Sequence, residues 1–214
     1  MKAQNVDIIA EAGVAHFGSL EKAFRLCDLA HAAKADSIKF QIFNINELYS
    51  KISPDWIDRL SPRQMSPEDF LEVKTYCDNL GLTFFATAHD LESLYSLIDI
   101  GIPVLKVGSG EKLNFLYLKT LIKAKLPIFI SLGMHSIEEI KSLVEFLVDY
   151  QKTDVVLLHC VTEYPASPKD INLKTISWLA KEFNVLSGYS DHTEGHHIAE
   201  SAVHYGAVVI EKHI

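Results

Sequence analysis

The chain has 214 residues, 48% of them hydrophobic and 22% charged, and carries a formal net charge of −8 at pH 7. That length supports one sizeable domain with a real core, and the composition is ordinary for a soluble globular fold. With no basic run to offset it, the negative balance excludes a duplex-binding surface, so no nucleic-acid partner is expected, although a few lysines gathered in a cleft can still hold an anion.

Met1–Asp7 is too short and polar for a signal peptide, and no apolar run approaches membrane-spanning length, so a cytoplasmic chain without a membrane partner is expected. Cys27, Cys77 and Cys160 are odd in number and widely spaced, which fits reduced thiols better than a disulfide framework. Asp7–Val14 reads as a buried strand. Ser19 reads as the cap of a helix whose apolar stripe is Ala23, Leu26, Ala30 and Ala33. Ser37–Phe43 alternates, with Lys39 and Gln41 on one face and Ile38, Phe40 and Ile42 on the other. Residues 44–66 form a polar connection with a short helix. Ser66-Pro67-Glu68-Asp69 then starts a helix that runs to Leu80 and stops at Gly81.

From there strand and helix alternate without a break. Strands are expected at Thr83–Thr87, Val104–Gly108, Pro127–Leu132, Val155–Val161, Val185–Gly188 and Val208–His213. The helices between them are Leu91–Ile100, Asn114–Ala124, Ser136–Tyr150, Asn172–Phe183 and Gly195–Tyr205. Strict alternation implies a parallel sheet with right-handed crossovers, and eight strands are the number that closes a (β/α)₈ TIM barrel. The rival doubly wound sheet lacks its Gly-x-Gly-x-x-Gly turn after the first strand. The eighth strand ends the chain, so the barrel is expected to be truncated there.

Barrel enzymes keep their sites at the C-terminal ends of the strands. Sorted that way, the polar residues are Glu11; Lys39 and Gln41; Thr87; Lys106, Ser109 and Glu111; Ser131; Glu163 and Tyr164; Ser190, Asp191 and His192; Glu211 and His213. Any one of these alone reads as a hydrogen-bonded structural group; so many on the strand ends of one barrel read as a site. Lys39 and Lys106 stand inside apolar strands, where an ammonium is costly, and so imply either a bound phosphate or carboxylate, or a lysine tuned for Schiff-base work. His192 and His213, with Glu11 or Asp191 near, suit an open divalent-metal site for Mn²⁺, Zn²⁺ or Fe²⁺. His31, His135, His196, His197 and His204 read as solvated. His16 and His89 read as lining the mouth, His159 as a core histidine and Cys160 as buried and inert.

The series Ile8-Ile9-Ala10-Glu11-Ala12-Gly13-Val14, Ile38-Lys39-Phe40-Gln41, Lys106-Val107-Gly108-Ser109-Gly110-Glu111, Ser131-Leu132-Gly133-Met134, His159-Cys160-Val161-Thr162-Glu163-Tyr164-Pro165, Gly188-Tyr189-Ser190-Asp191-His192-Thr193 and Glu211-Lys212-His213 resembles, in order, the N-acetylneuraminate (sialic acid) synthase family. The resemblance implies a transferase that joins phosphoenolpyruvate to an open-chain N-acetylhexosamine. The products would be phosphate and a nine-carbon 2-keto sugar acid for cell-surface polysaccharide. It implies Mn²⁺ on His192 and His213, and phosphoenolpyruvate on Lys39, Lys106, Ser109 and Ser190. It puts Glu11 near metal and sugar, Glu111 near the reacting carbons and Glu163 on the substrate side. It also implies a homodimer when full length, with a C-terminal antifreeze-like domain that residues 1–214 do not include. Ala15 and Phe17 replace the family's usual asparagines, and Thr87-Ala88-His89-Asp90 replaces Thr-Pro-Phe-Asp, all at the sugar-facing mouth. The alternatives are a Schiff-base aldolase using Lys39, Lys106 or Lys212, and a non-catalytic barrel fragment.

Overall fold

The structure is a computed structural model that describes residues 6–50, 52–147 and 155–214. Eight strands are hydrogen-bonded in chain order and close into a barrel: β1 (Asp7–Gly13), β2 (Ser37–Ile42), β3 (Thr83–Ala88), β4 (Leu105–Val107), β5 (Ile128–Ser131), β6 (Val155–Cys160), β7 (Leu186–Asp191) and β8 (Val209–His213). The TIM-barrel expectation therefore holds. The helices are α1 (Leu20–Ala32), α2 (Ile45–Leu48), α3 (Pro54–Leu60), α4 (Pro67–Leu80), α5 (Leu91–Ile100), α6 (Phe115–Lys123), α7 (Ile137–Phe146), α8 (Lys174–Phe183) and α9 (His197–His204). The expected end of the helix after β5, at residues 148–150, lies outside the described residues. No helix among the described residues is long and apolar enough to cross a membrane.

Local chemistry sets the boundaries. Ser66 and Asp69 form a reciprocal capping box with Pro67 at the first turn of α4, and Gly81 closes it in the left-handed region at φ +69°. Asp90 caps α5 through the Ser93 N–H, and Ser136 with Glu139 repeats the capping box at α7. Among the described residues, the connection 44–66 holds two short α-helices and a 3₁₀ turn at Ser61–Arg63 rather than one helix, because Asn44 caps α2 and Pro54 starts α3.

Two compact units divide the chain, residues 10–106 with 214, and residues 107–213 with the start of β1. In the first, Phe40 on β2 and Phe84 on β3 pack edge and face with Phe70 of α4, with ring centroids 5.9–6.3 Å apart. His16 completes this aromatic core. The small buried residues Ala23, Cys27 and Ala30 bring α1 onto α4, where the Cys27 and Cys77 sulfurs lie 3.4 Å apart as free thiols. Cys27, not Leu26, carries the middle of the α1 stripe, because Ala23, Cys27 and Ala30 follow the i, i+4, i+7 rhythm. In the second unit, Tyr189, Ile176, Ala202, Ala207 and Ile210 form a buried cluster joining α8 and α9 to β7 and β8.

Candidate functional site

In the first unit, Glu11, Lys39, Gln41, Thr87 and Lys106 stand at strand ends. The register that pairs Gln41 with Thr87, and Thr87 with Lys106, puts them side by side. Alternation along β2 sends Lys39 and Gln41 to the face opposite Phe40, toward Glu11 on β1. Lys39 Nζ lies 2.9 Å from Glu11 Oε2, with the two side chains 4% and 1% exposed. The same ammonium donates to Thr87 Oγ1 at 3.1 Å, and Gln41 Nε2 donates to Glu11 Oε1 at 3.1 Å. The Thr87 and Gln41 hydrogen bonds help to offset the cost of burying so dry an ion pair. Lys106 is equally buried. His89 follows β3, and burial together with the positive charges of Lys39 and Lys106 lowers its pKa to about 4, against the pull of Asp90. Its imidazole is therefore neutral near pH 7. His16 does not line the mouth: it is buried, its Nδ1 accepts from the Gly18 N–H at 3.1 Å, and its Nε2 has no hydrogen-bond partner. Burial, helped by Arg63, lowers its pKa to about 4 as well.

In the second unit, β7 runs three residues further than its apolar run suggests, so Ser190 and Asp191 are strand residues facing β8. Ser190 donates to Glu211 Oε1 at 2.8 Å. Asp191 is engaged on both oxygens: Oδ1 accepts from the Tyr189 hydroxyl and from the Thr193 N–H and hydroxyl, and Oδ2 from Lys212 at 2.9 Å. Lys212 also donates to the Thr193 carbonyl. This anchor holds the end of β7 and the turn after it. Tyr189 and Thr193 lie outside the site expected from sequence, and Lys212 enters it there only as a Schiff-base candidate, although an aspartate followed two residues later by threonine is a recognisable local hydrogen-bonding pattern.

His192 and His213 come together at the ends of β7 and β8, with ring centroids 5.3 Å apart and planes at 53°. His192 Nδ1 lies 2.6 Å from the Val161 carbonyl. A carbonyl can only accept, so Nδ1 carries the proton and Nε2 presents its lone pair, the tautomer a metal ligand needs. The pair therefore fits a divalent cation. Tyr164 stacks over His192 at 3.9 Å and meets His213 edge-on at 5.5 Å. Cys160 Sγ sits 4.0 Å from His192 Nδ1. Ser109 and Ser131 are buried, and Ser109 Oγ accepts from the Gly133 N–H at 3.0 Å. Glu111 is half-buried and accepts from Asn114 at 2.7 Å, whereas Glu163 is exposed. His159 lines a cavity of about 470 Å³ with Trp178, Lys174 and Asn172, stacks on Tyr189, and has no hydrogen-bond partner at Nε2. It is half-buried rather than a satisfied core residue.

The sequence profile of the NeuB family matches residues 26–214. The N,N'-diacetyllegionaminic acid synthase of Legionella pneumophila is 38% identical over 223 residues, covering 96% of this chain and 63% of that protein. The enzyme of the same name from Campylobacter jejuni is 38% identical over 221 residues, covering 96% of this chain and 66% of that protein. Among solved structures, N-acetylneuraminic acid (sialic acid) synthetase from Leptospira borgpetersenii in complex with citrate superposes with a TM-score of 0.93 at 36% identity. That match covers 98% of this chain and 73% of that one. The chain thus spans 63% of the length of the first of these relatives.

Proposed function

The chain belongs to the NeuB family, and on that premise we propose that it condenses phosphoenolpyruvate with an open-chain N-acetylhexosamine to give a nine-carbon 2-keto sugar acid and phosphate. The observation that carries the reading is the pair of buried lysines, Lys39 and Lys106, on strand ends either side of Thr87. Two ammoniums held in a dry barrel suit a small substrate bearing both a phosphate and a carboxylate. Lys39 is held in an ion pair with Glu11, which favours its charged form and disfavours a Schiff base at Lys39.

The acceptor is N-acetylmannosamine or a related acetamido sugar; the two relatives at 38% identity favour a diacetamido sugar leading to a legionaminic-type acid. His192 and His213 would hold a divalent cation, with Mn²⁺ the family expectation, which supplies Lewis-acid polarisation of the sugar aldehyde when bound. Carbon 3 of phosphoenolpyruvate then bonds to the aldehyde carbon, water adds at carbon 2, and phosphate leaves. Glu11 or Glu111 positions that water and takes its proton. Tyr164, stacked on the ring of His192, is placed to meet the sugar.

Phosphate release from phosphoenolpyruvate, with Mn²⁺ and a panel of 2-acetamido sugars, tests this. Release that requires one of the sugars is expected, and the same assay on Lys106→Met should fall to background. Release indifferent to every sugar, or borohydride trapping of an imine with pyruvate, would overturn the proposal.

A further inference from the structure

We propose that His196, His197 and Glu200 form a second, surface binding site for a borderline divalent cation such as Zn²⁺, made of residues separate from His192 and His213. Among the described residues they are the one group of three His, Cys, Asp or Glu side chains whose potential ligand atoms all lie within 4.8 Å of one another. His196 immediately precedes α9 and Glu200 lies one turn on, so the i, i+4 and i, i+3 spacings stack both imidazoles over one carboxylate. His196 Nε2 is 3.7 Å from Glu200 Oε1, His197 Nδ1 is 3.8 Å from Glu200 Oε2, and the two ring centroids are 4.4 Å apart. A tetrahedral ion with bonds of about 2.0–2.1 Å needs its ligand atoms roughly 3.3 Å apart, so closure takes only small side-chain rotations. Two imidazoles and one carboxylate suit Zn²⁺, Ni²⁺ or Cu²⁺ and not Mg²⁺, which prefers an all-oxygen shell. The side chains are 66–84% exposed, which leaves the remaining coordination positions to water or to a donor from another molecule.

Calorimetric titration of ZnCl₂ tests the site, starting from the H192A/H213A chain so that the barrel-mouth histidines do not contribute. One equivalent of zinc is expected to bind, MgCl₂ to give no binding, and H197A or E200Q added to that background to weaken zinc by about tenfold or more. All three residues are exposed, so an unchanged circular dichroism spectrum is expected of these variants. Should H192A/H213A fold poorly, the same comparison on the otherwise unaltered chain reads a loss of one zinc equivalent in H196A/H197A/E200Q. Equal affinity and stoichiometry with and without the triad would overturn the proposal.

Discussion

Removing the carboxylate of Glu11 takes the paired anion from a buried ammonium. In Glu11→Ala, Lys39 loses an oxygen at 2.9 Å and keeps the neutral Thr87 hydroxyl at 3.1 Å, while Gln41 loses its 3.1 Å acceptor. Breaking one partner of a buried ion pair costs roughly 3–5 kcal/mol, and the lost neutral hydrogen bond about 1 more. For a chain of this size each kcal/mol moves the melting temperature by about 2–4 °C, so a drop of roughly 8–24 °C is expected. Urea unfolding followed by circular dichroism should show the midpoint falling with little change in slope. The double variant E11L/K39M removes both charges and should recover most of the loss, because an apolar pair of similar volume avoids the desolvation penalty. Glu11→Ala within about 1 kcal/mol of the parent would refute this account, as would a double variant no more stable than the single.

Two further expectations follow from the core and the loops. The pKa of His16 is lowered from 6.5 to about 4, so the unfolded chain binds more protons between those values. Its contribution is complete above pH 6.5 and is lost as pH falls toward 4, at up to about 1.4 kcal/mol per pH unit and roughly 3 kcal/mol in all. His16→Gln should flatten that part of the stability profile in urea titrations between pH 7 and 4.5; an unchanged slope would contradict the assignment. At Gly133 an added Cβ would lie 2.5 Å from Thr162 Cγ2 and 2.7 Å from Ser109 Oγ. Gly133→Ala should therefore destabilise by about 1–3 kcal/mol, read as a lower urea midpoint, and a neutral result would show that this turn is soft.

The barrel was legible because its signals are local and repeated: capping serines and aspartates, glycine stops, and short apolar runs between them. Lys39 and Gln41 could be put on one face from the alternation of β2 alone, and both do meet Glu11. The partner itself was not legible, since Glu11 comes from another strand and only register brings it there. The sequence pattern ends β7 at Gly188, whereas the strand runs on to Asp191. Ser190 and Asp191 are polar but strand-forming, because Glu211 and Lys212 on β8 answer them across the register, and no local pattern announces that. Stacking Tyr164 over His192 likewise depends on loop geometry that periodicity does not carry. His196 and His197 read as solvated, and they are; their common carboxylate becomes visible only when the helix is built.

The two sulfurs of Cys27 and Cys77 have a use that their packing makes available. Both are wholly buried, and hydrogen bonding between them with burial raises the Cys27 thiol far above its ordinary range. Neither is open to an alkylating reagent while α1 lies on α4. Their modification rate, at reagent concentrations too low to outrun reclosing, therefore reports the equilibrium population in which these two helices have separated, an internal gauge of the opening of one segment in an otherwise folded chain.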